Sequence, residues 1–164
     1  MESRNPWGDN WSVENYSSAE MDLLLANVFS PKLEFMGFRP AGSRKWACER
    51  TNGSFEVVKL HCDRGFIFYA SFGLSFSWIP HSVNQSLKWH RTAKSALLDL
   101  PFTKPQERDW SISKQRTLAY DRANQVSAEL CETCEPWFRE TKIDANVTSE
   151  LERHRLTPSF HNFV

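Results

Sequence analysis

Cys131 and Cys134 lie in a C-x-x-C arrangement, the motif in this sequence that most directly suggests chemistry. Such a pair is a redox dithiol where it opens a helix after a strand, because the helix N-terminus lowers the thiol pKa. Here the pair closes a predicted helix beside Glu129, Glu132 and Glu135, and neighbouring negative charge raises a thiol pKa. As zinc ligands the cysteines lack a second C-x-x-C or a histidine pair. We interpret both as ordinary helix residues, and the sequence predicts neither a metal nor a cofactor.

The histidines supply no second set of catalytic groups. They are His61, His81, His90, His154 and His161, and no two of them stand at metal-ligand spacing. General acid–base catalysis requires a poised base and a positioned partner, and we find no third group to complete such a set. G-x-S-x-G, Walker and G-x-G-x-x-G motifs are also missing. We therefore expect a binding role rather than catalysis.

The charge balance argues against a general nucleic-acid binder. The 164 residues carry 20 basic and 20 acidic side chains, whereas affinity for phosphates rests on an excess of Lys and Arg. The charges are nevertheless unevenly placed. Six basic residues lie from Arg39 to Arg64, and seven acids lie from Glu129 to Glu152. An uneven surface steers partners even when the net charge is zero, although both stretches are also typical of ordinary solvated faces.

The sequence also predicts a compartment. The first ten residues, MESRNPWGDN, have no apolar segment of a secretory signal, and no run approaches the length of a membrane span. Four cysteines fit a reducing environment. We expect a cytoplasmic protein that contacts no membrane.

Residues Gly65–Pro80 alternate strictly between two faces, the pattern of a strand with one face on a core. One face is apolar and aromatic. The other is small and hydroxylated in its middle, which is typical of a solvated outer face or of a shallow binding surface. The strand is long, so we expect a bend or bulge near Gly73.

Helices must cover the apolar face. Ser17 and Glu20 form a capping box ahead of apolar residues at helical spacing, Pro31 predicts a kink or a second piece, and Gly37 is the expected C-cap. A second helix is predicted over Ser113–Glu135, ended by Pro136, with Trp137 and Phe138 tucked under the sheet. Ser86–Leu98 has the spacing of a further, weaker helix.

These elements predict an α+β domain. Its antiparallel sheet has about four strands, a meander over Lys45–Pro80 plus a short strand near Trp110, with the first and last helices on one face. An Asn-Gly turn at 52–53 joins the first two strands. We divide the chain into an N-terminal arm (1–16), the domain (17–141) and a C-terminal tail with a possible short helix (142–164).

The order of these elements resembles a bacterial family known as domain of unknown function 4304. The resemblance runs from Ser17 to Ile143 and rests on SPKLEFMGFRP, SRKWACER, FEVVKLHCD, ASFGLSF, RDWSI and EPWFRE, in that order. It implies a small cytoplasmic α+β domain. The family's activity is not established, so no functional residues are implied, but proteins of this kind are often encoded beside toxins.

We predict a protein-binding module, most specifically an immunity- or antitoxin-like inhibitor of a bacterial toxin. Its acidic residues Glu129, Glu132 and Glu135 would face a basic partner, because complementary charge speeds encounter. Two alternatives stay open. One is a small-ligand binder or enzyme with a pocket near His81–Pro105, its candidate residues being Trp89, His90 and Arg91. The other is a structural subunit docked through Trp7, Trp11, Phe160 and Phe163.

Overall fold

Two long helices pack on one face of an antiparallel sheet, so the predicted α+β class is confirmed. The computed structural model describes residues 14–51, 53–63, 67–77, 79–88, 91–103 and 108–141. The helices are α1 (Ser18–Phe35) and α2 (Arg116–Glu140). The strands are β1 (Arg39–Gly42), β2 (Lys45–Glu49), β3 (Ser54–Asp63), β4 (Ile67–Phe76), β5 (His81–Val83), β6 (Ser86–Lys88), β7 (Leu100–Pro101) and β8 (Ser111–Ser113), with a 3-10 turn at Ala93–Ser95.

Within the described residues the main sheet has six strands rather than about four. Its order is β1-β2-β3-β4, and β7 and β8 then share the outer edge of β4. The meander of β2, β3 and β4 and the short strand near Trp110 are confirmed, while β1 and β7 are additions that the residue pattern did not predict. Strands β5 and β6 form a separate hairpin.

The core lies between the helices and the even-numbered residues of β3 and β4. Phe72 sits at its centre, with ring centroids 5.5 Å from Trp137 and 5.4 Å from Phe138. Burying one such aromatic side chain contributes about 1.5–3 kcal/mol. The buried core includes Leu25, Phe29, Leu33, Val58, Leu60, Phe68, Leu74, Ala123, Val126 and Leu130. The alternation in the sequence therefore gave the core face of β4 correctly.

Gly73 does not mark a bulge, contrary to the prediction. Pairing of β3 with β4 continues through it, from Ser54 opposite Phe76 to Asp63 opposite Ile67. Because Gly73 has no side chain, the backbone of β7 can approach β4 closely at this position. A Cβ at Gly73 would lie 2.8 Å from the Cα of Pro101, so only glycine lets β7 pair at this point.

The small face of β4 is covered in its middle, so its interpretation as a solvated outer face is wrong there. Ser75 is wholly buried, and its hydroxyl accepts hydrogen bonds from Leu97 N (3.1 Å) and Arg91 Nη1 (3.3 Å). Beside it a second small core joins Phe55, Val57 and Ala96. Residues 91–99 thus form a strap across this face.

The helix predicted over Ser86–Leu98 is wrong. The segment contains β6 and the short 3-10 turn instead. Leu87 and Leu97, which would lie on the apolar side of such a helix, are 59% and 46% exposed. Tertiary contacts of the strap with the sheet override this weak periodicity.

Helix α1 begins at its predicted capping box, and its C-cap is Met36, one residue before the predicted Gly37. Ser17 N donates to Glu20 Oε2 (2.8 Å), and Glu20 N donates to Ser17 Oγ (3.3 Å), which completes the capping box. Gly37 follows the C-cap with a φ of 94°, a conformation that favours glycine. Pro31 lies inside the helix and does not divide it into two pieces.

Helix α2 continues through Pro136, which was predicted to end it, and stops at Glu140. A proline inside a helix removes one hydrogen bond and adds a clash, at about 3 kcal/mol. Burial of Trp137 and Phe138 beyond the proline offsets this penalty, and the predicted position of both under the sheet is confirmed.

The hairpin between β2 and β3 has a longer loop than a two-residue Asn-Gly turn. Arg50 N donates to Ser54 O at 2.8 Å, and Gly53 takes a positive φ of 77°. Cys48 therefore lies opposite Glu56, whereas a two-residue turn at 52–53 would place it opposite Val57. Cys48, Cys62, Cys131 and Cys134 are all free thiols.

The predicted arm and tail lie almost entirely outside the described residues, and so do Trp7, Trp11, Phe160 and Phe163. The last residues of the arm are described. Tyr16 N donates to Lys114 O at 2.9 Å, and the guanidinium of Arg116 lies 4.5 Å from the centre of the Tyr16 ring. This part of the arm packs against the start of α2.

Candidate docking groove

A groove runs between the C-terminal end of α1 and the C-terminal half of α2. It consists of two adjoining cavities of about 300 and 490 Å³, and Phe35, Met36 and Glu135 line both. The smaller cavity also contacts Glu56, Phe38, Phe138 and Arg139, whereas the larger one also contacts Pro31, Lys32, Cys131 and Glu132. We call this surface the docking groove.

Phe35 is the most exposed apolar side chain at the groove, with 94% of its surface accessible. The end of α1 fixes its position, since Gly37 N donates to Glu34 O (3.0 Å) and Phe38 N donates to Leu33 O (3.0 Å). Leu33 and Phe38 are buried on either side. Burying a phenyl ring is worth about 1.5–3 kcal/mol, and the domain itself gains almost none of this from Phe35.

Two of the three acidic residues predicted to bind a partner line this groove. Glu132 and Glu135 are both exposed there, and Glu135 Oε1 accepts a hydrogen bond of 2.7 Å from Arg139. Glu129 is not among the lining residues. It is half-buried, and its carboxylate accepts a hydrogen bond of 2.9 Å from Gln125.

Lys32 is a positively charged residue that lines the groove, and its side chain joins α1 to α2. Its ammonium donates to Ser127 Oγ (2.5 Å) and to Asn124 O (3.2 Å). It is therefore held against α2 rather than extended toward solvent. The exposed carboxylates of Glu132 and Glu135 lie at this rim of the groove together with the guanidinium of Arg139, which pairs with Glu135.

Cys131 of the C-x-x-C pair lines the larger cavity of the groove, and Cys134 is buried behind it. Burial raises the pKa of the Cys131 thiol, and it raises that of the deeper Cys134 thiol further. Cys134 Sγ donates to Cys131 O at 3.6 Å. Both groups are held as neutral thiols, and the thiolate is the reactive form of cysteine. Among the described residues no cluster of three or more His, Cys, Asp or Glu could hold a metal ion.

The alternative ligand site is only partly visible. Trp89 and His90 lie outside the described residues. The side chain of Arg91 is 3% exposed, and its Nη1 forms an ion pair with Asp99 and bonds Ser75 Oγ. Asp99 in turn accepts a hydrogen bond of 2.8 Å from Phe76 N. Arg91 therefore fastens the strap to β4.

The sequence did not identify Phe35 as a surface residue, because together with Leu33 and Met36 it continues the apolar pattern of α1. The spacing of residues along the helix could have indicated its exposure. Phe35 follows the buried Leu33 by two positions, so it lies about 200° further around the helix. Such an angle takes a side chain away from the core.

Comparisons of the chain with protein-family models, with curated proteins and with solved structures found no match. The resemblance to family 4304 stays a prediction. In the described part of the chain, neither helix is long and apolar enough to cross a membrane.

Proposed function

We propose that this chain is a protein-binding module that neutralises a bacterial toxin through the docking groove. The observation that carries the proposal is the juxtaposition of the almost fully exposed Phe35 with the carboxylates of Glu132 and Glu135. An apolar anchor beside charged groups is the usual make-up of an interface, in which a few buried side chains supply most of the binding energy.

The groove fits a partner with basic side chains around an apolar contact point. Carboxylates at the rim attract Lys and Arg over several ångströms, which raises the association rate and disfavours acidic surfaces. Phe35 then gains its burial energy only in the complex. A toxin that acts on nucleic acid has such a basic surface, because it must bind phosphates.

The resemblance to family 4304 supports the same function. Proteins that look like members of this family are often encoded beside toxins, so a toxin from a neighbouring gene is the natural partner to test. The missing catalytic motifs of the sequence also favour action by binding.

The test is co-expression with the toxin-like protein encoded beside its gene, with cell growth and the affinity of the purified pair as readouts. We expect the chain to restore growth. Phe35→Ala should weaken the complex about 10- to 100-fold, since about 1.5–3 kcal/mol of burial is lost. Glu132→Lys combined with Glu135→Lys should lower the association rate about tenfold, and this difference should shrink in high salt.

Two control variants separate binding from folding. Leu23→Ala removes another exposed apolar side chain of α1, and Asp121→Lys reverses an exposed charge near the start of α2; neither residue lines the groove. Both should leave affinity and growth rescue unchanged. The proposal fails if the neighbouring toxin neither binds the chain nor loses toxicity, or if Phe35→Ala and Leu23→Ala behave alike.

A further inference from the structure

A further cavity, separate from the docking groove, is lined by several basic side chains. It measures about 530 Å³ and lies between the turn that joins β1 to β2 and the C-terminal part of β3. Its charged or titratable lining residues are Arg44, Lys45, Lys59, His61, Cys62 and Lys94, and no Asp or Glu is among the described residues that line it. It shares no lining residue with the docking groove.

Two of these lysines stand directly opposite each other in the sheet. Lys45 of β2 and Lys59 of β3 are paired residues of the antiparallel ladder, so their side chains leave the same face. Like charges in this position destabilise a sheet, and the charge of Lys59 adds to burial in lowering the pKa of Lys45. A bound anion would turn this repulsion into attraction.

Two backbone carbonyls of the strap hold the ammonium of Lys45, and the strap also places Lys94 at the cavity. Lys45 Nζ donates to Lys94 O (2.5 Å) and to Ala96 O (3.2 Å), which uses two of its three N–H donors. These bonds hold Lys45 in place and set Lys94 at the same cavity. A charge fixed before the ligand arrives loses little conformational entropy on binding.

The charges of these lysines have no acidic partner among the residues that the structure describes. No carboxylate of the described residues forms an ion pair with Lys45, Lys59 or Lys94. Arg44 differs, since its Nε lies 3.3 Å from Asp22 Oδ1. The cavity is therefore lined by three lysines that form no ion pair with a described carboxylate.

We propose that this cavity binds a small phosphate-bearing anion through Lys45, Lys59 and Lys94. Phosphate oxygens accept charge-assisted hydrogen bonds from ammonium groups, and three cations match a ligand with two or more negative charges. The cavity volume lies within the roughly 300–1,000 Å³ of ordinary small-molecule sites. The neutral overall charge of the chain favours a compact ligand over a nucleic-acid polymer.

His61 offers a reporter of this site. It follows Lys59 by two positions on the same strand face and lines the same cavity. Burial and the charge of Lys59 lower the pKa of its imidazole. A phosphate bound beside it must favour the protonated ring and raise that pKa.

The experiment titrates the full chain with inorganic pyrophosphate at constant ionic strength, by calorimetry and by NMR of the His61 ring. We expect saturable binding and a raised His61 pKa. Lys59→Gln should weaken binding at least about tenfold, because it removes one of the three charges, about 1.4 kcal/mol or more. Lys88→Gln, at an exposed lysine of β6 outside the cavity, is the matched control and should bind like the unaltered chain.

Three outcomes would overturn the proposal. They are no saturable binding at millimolar pyrophosphate, equal losses in Lys59→Gln and Lys88→Gln, and an unchanged His61 pKa at saturation. If Lys59→Gln fails to fold, the change in the His61 pKa of the unaltered chain on adding pyrophosphate tests the proposal alone. Titration with sodium sulfate at the same ionic strength completes the test, since equal binding of sulfate would overturn recognition of phosphate.

Discussion

Arg50 Nε lies 3.0 Å from Glu56 Oε1, and both side chains are less than one-tenth exposed. The same guanidinium donates to Phe138 O (2.9 Å) and to Thr141 O (3.0 Å) at the end of α2. One arginine thus neutralises a buried carboxylate and satisfies helix carbonyls that lack intrahelical partners. This pair joins the β2–β3 hairpin to α2 beneath the docking groove.

The first prediction concerns this pair. Glu56→Ala leaves the charge of Arg50 buried without its partner, and we expect the free energy of unfolding to fall by about 3–5 kcal/mol. Urea denaturation measures the change. Glu135→Ala is the control, because it breaks an exposed ion pair with Arg139 that is worth about 0.3–0.5 kcal/mol. Similar losses in the two variants would contradict a structural role for Glu56.

The second prediction concerns the approach of β7 to β4. Gly73→Ala places a Cβ 2.8 Å from the Cα of Pro101, so backbone must move, and we expect a loss of about 1–3 kcal/mol in unfolding free energy. At Gly42 a Cβ would meet nothing closer than 3.8 Å. Gly42→Ala should therefore change stability by less than about 1 kcal/mol. Thermal unfolding of both variants compares the two sites, and equal midpoints would exclude the proposed close approach.

The third prediction is a pH dependence. Hydrogen bonds from Ser17 and from Arg116 lower the pKa of Glu20 to about 2, from an ordinary 4.5. Because the folded pKa is the lower one, the stabilisation is complete above pH 4.5 and is lost as pH falls toward 2. Glu20→Gln removes the titrating carboxylate, so its urea midpoint should fall less over this interval.

Glu34→Gln is the control for the pH series. Glu34 is exposed at the other end of α1, far along the helix from the capping box at Ser17 and Glu20. This variant should keep the acid sensitivity of the unaltered chain between pH 4.5 and 2. If Glu20→Gln shows the same slope as Glu34→Gln, the capping box does not contribute to acid unfolding.

The fourth prediction concerns thiol reactivity. Cys62 is exposed, whereas Cys134 is buried with a raised pKa, so alkylation needs both opening of the domain and loss of the proton. In the native protein at pH 8, Cys62 should react with iodoacetamide more than about tenfold faster than Cys134. Mass spectrometry of peptides measures both rates. In urea the two rates should converge, and native Cys134 reacting as fast as Cys62 would contradict its burial.

Several features of the fold could be predicted from residues that are close in sequence. The capping box of Ser17 and Glu20 and the left-handed conformation of Gly37 depend only on neighbours within a few positions. The alternation of β4 fixed its core face, because successive side chains of any strand point to opposite sides. The acidic residues Glu132 and Glu135 could also be identified from the sequence.

Only the tertiary structure decided how distant segments meet. Arg50 bonds Thr141 across 91 positions, and Lys45 bonds the carbonyl of Lys94 across 49. No local pattern encodes such contacts, because they depend on how the sheet, the strap and α2 pack together. For the same reason Pro136 failed to end α2, since buried aromatic residues beyond it outweigh the lost hydrogen bond. Local chemistry determined the cap of α1 and the core face of β4, and long-range packing determined the end of α2, the docking groove and the basic cavity.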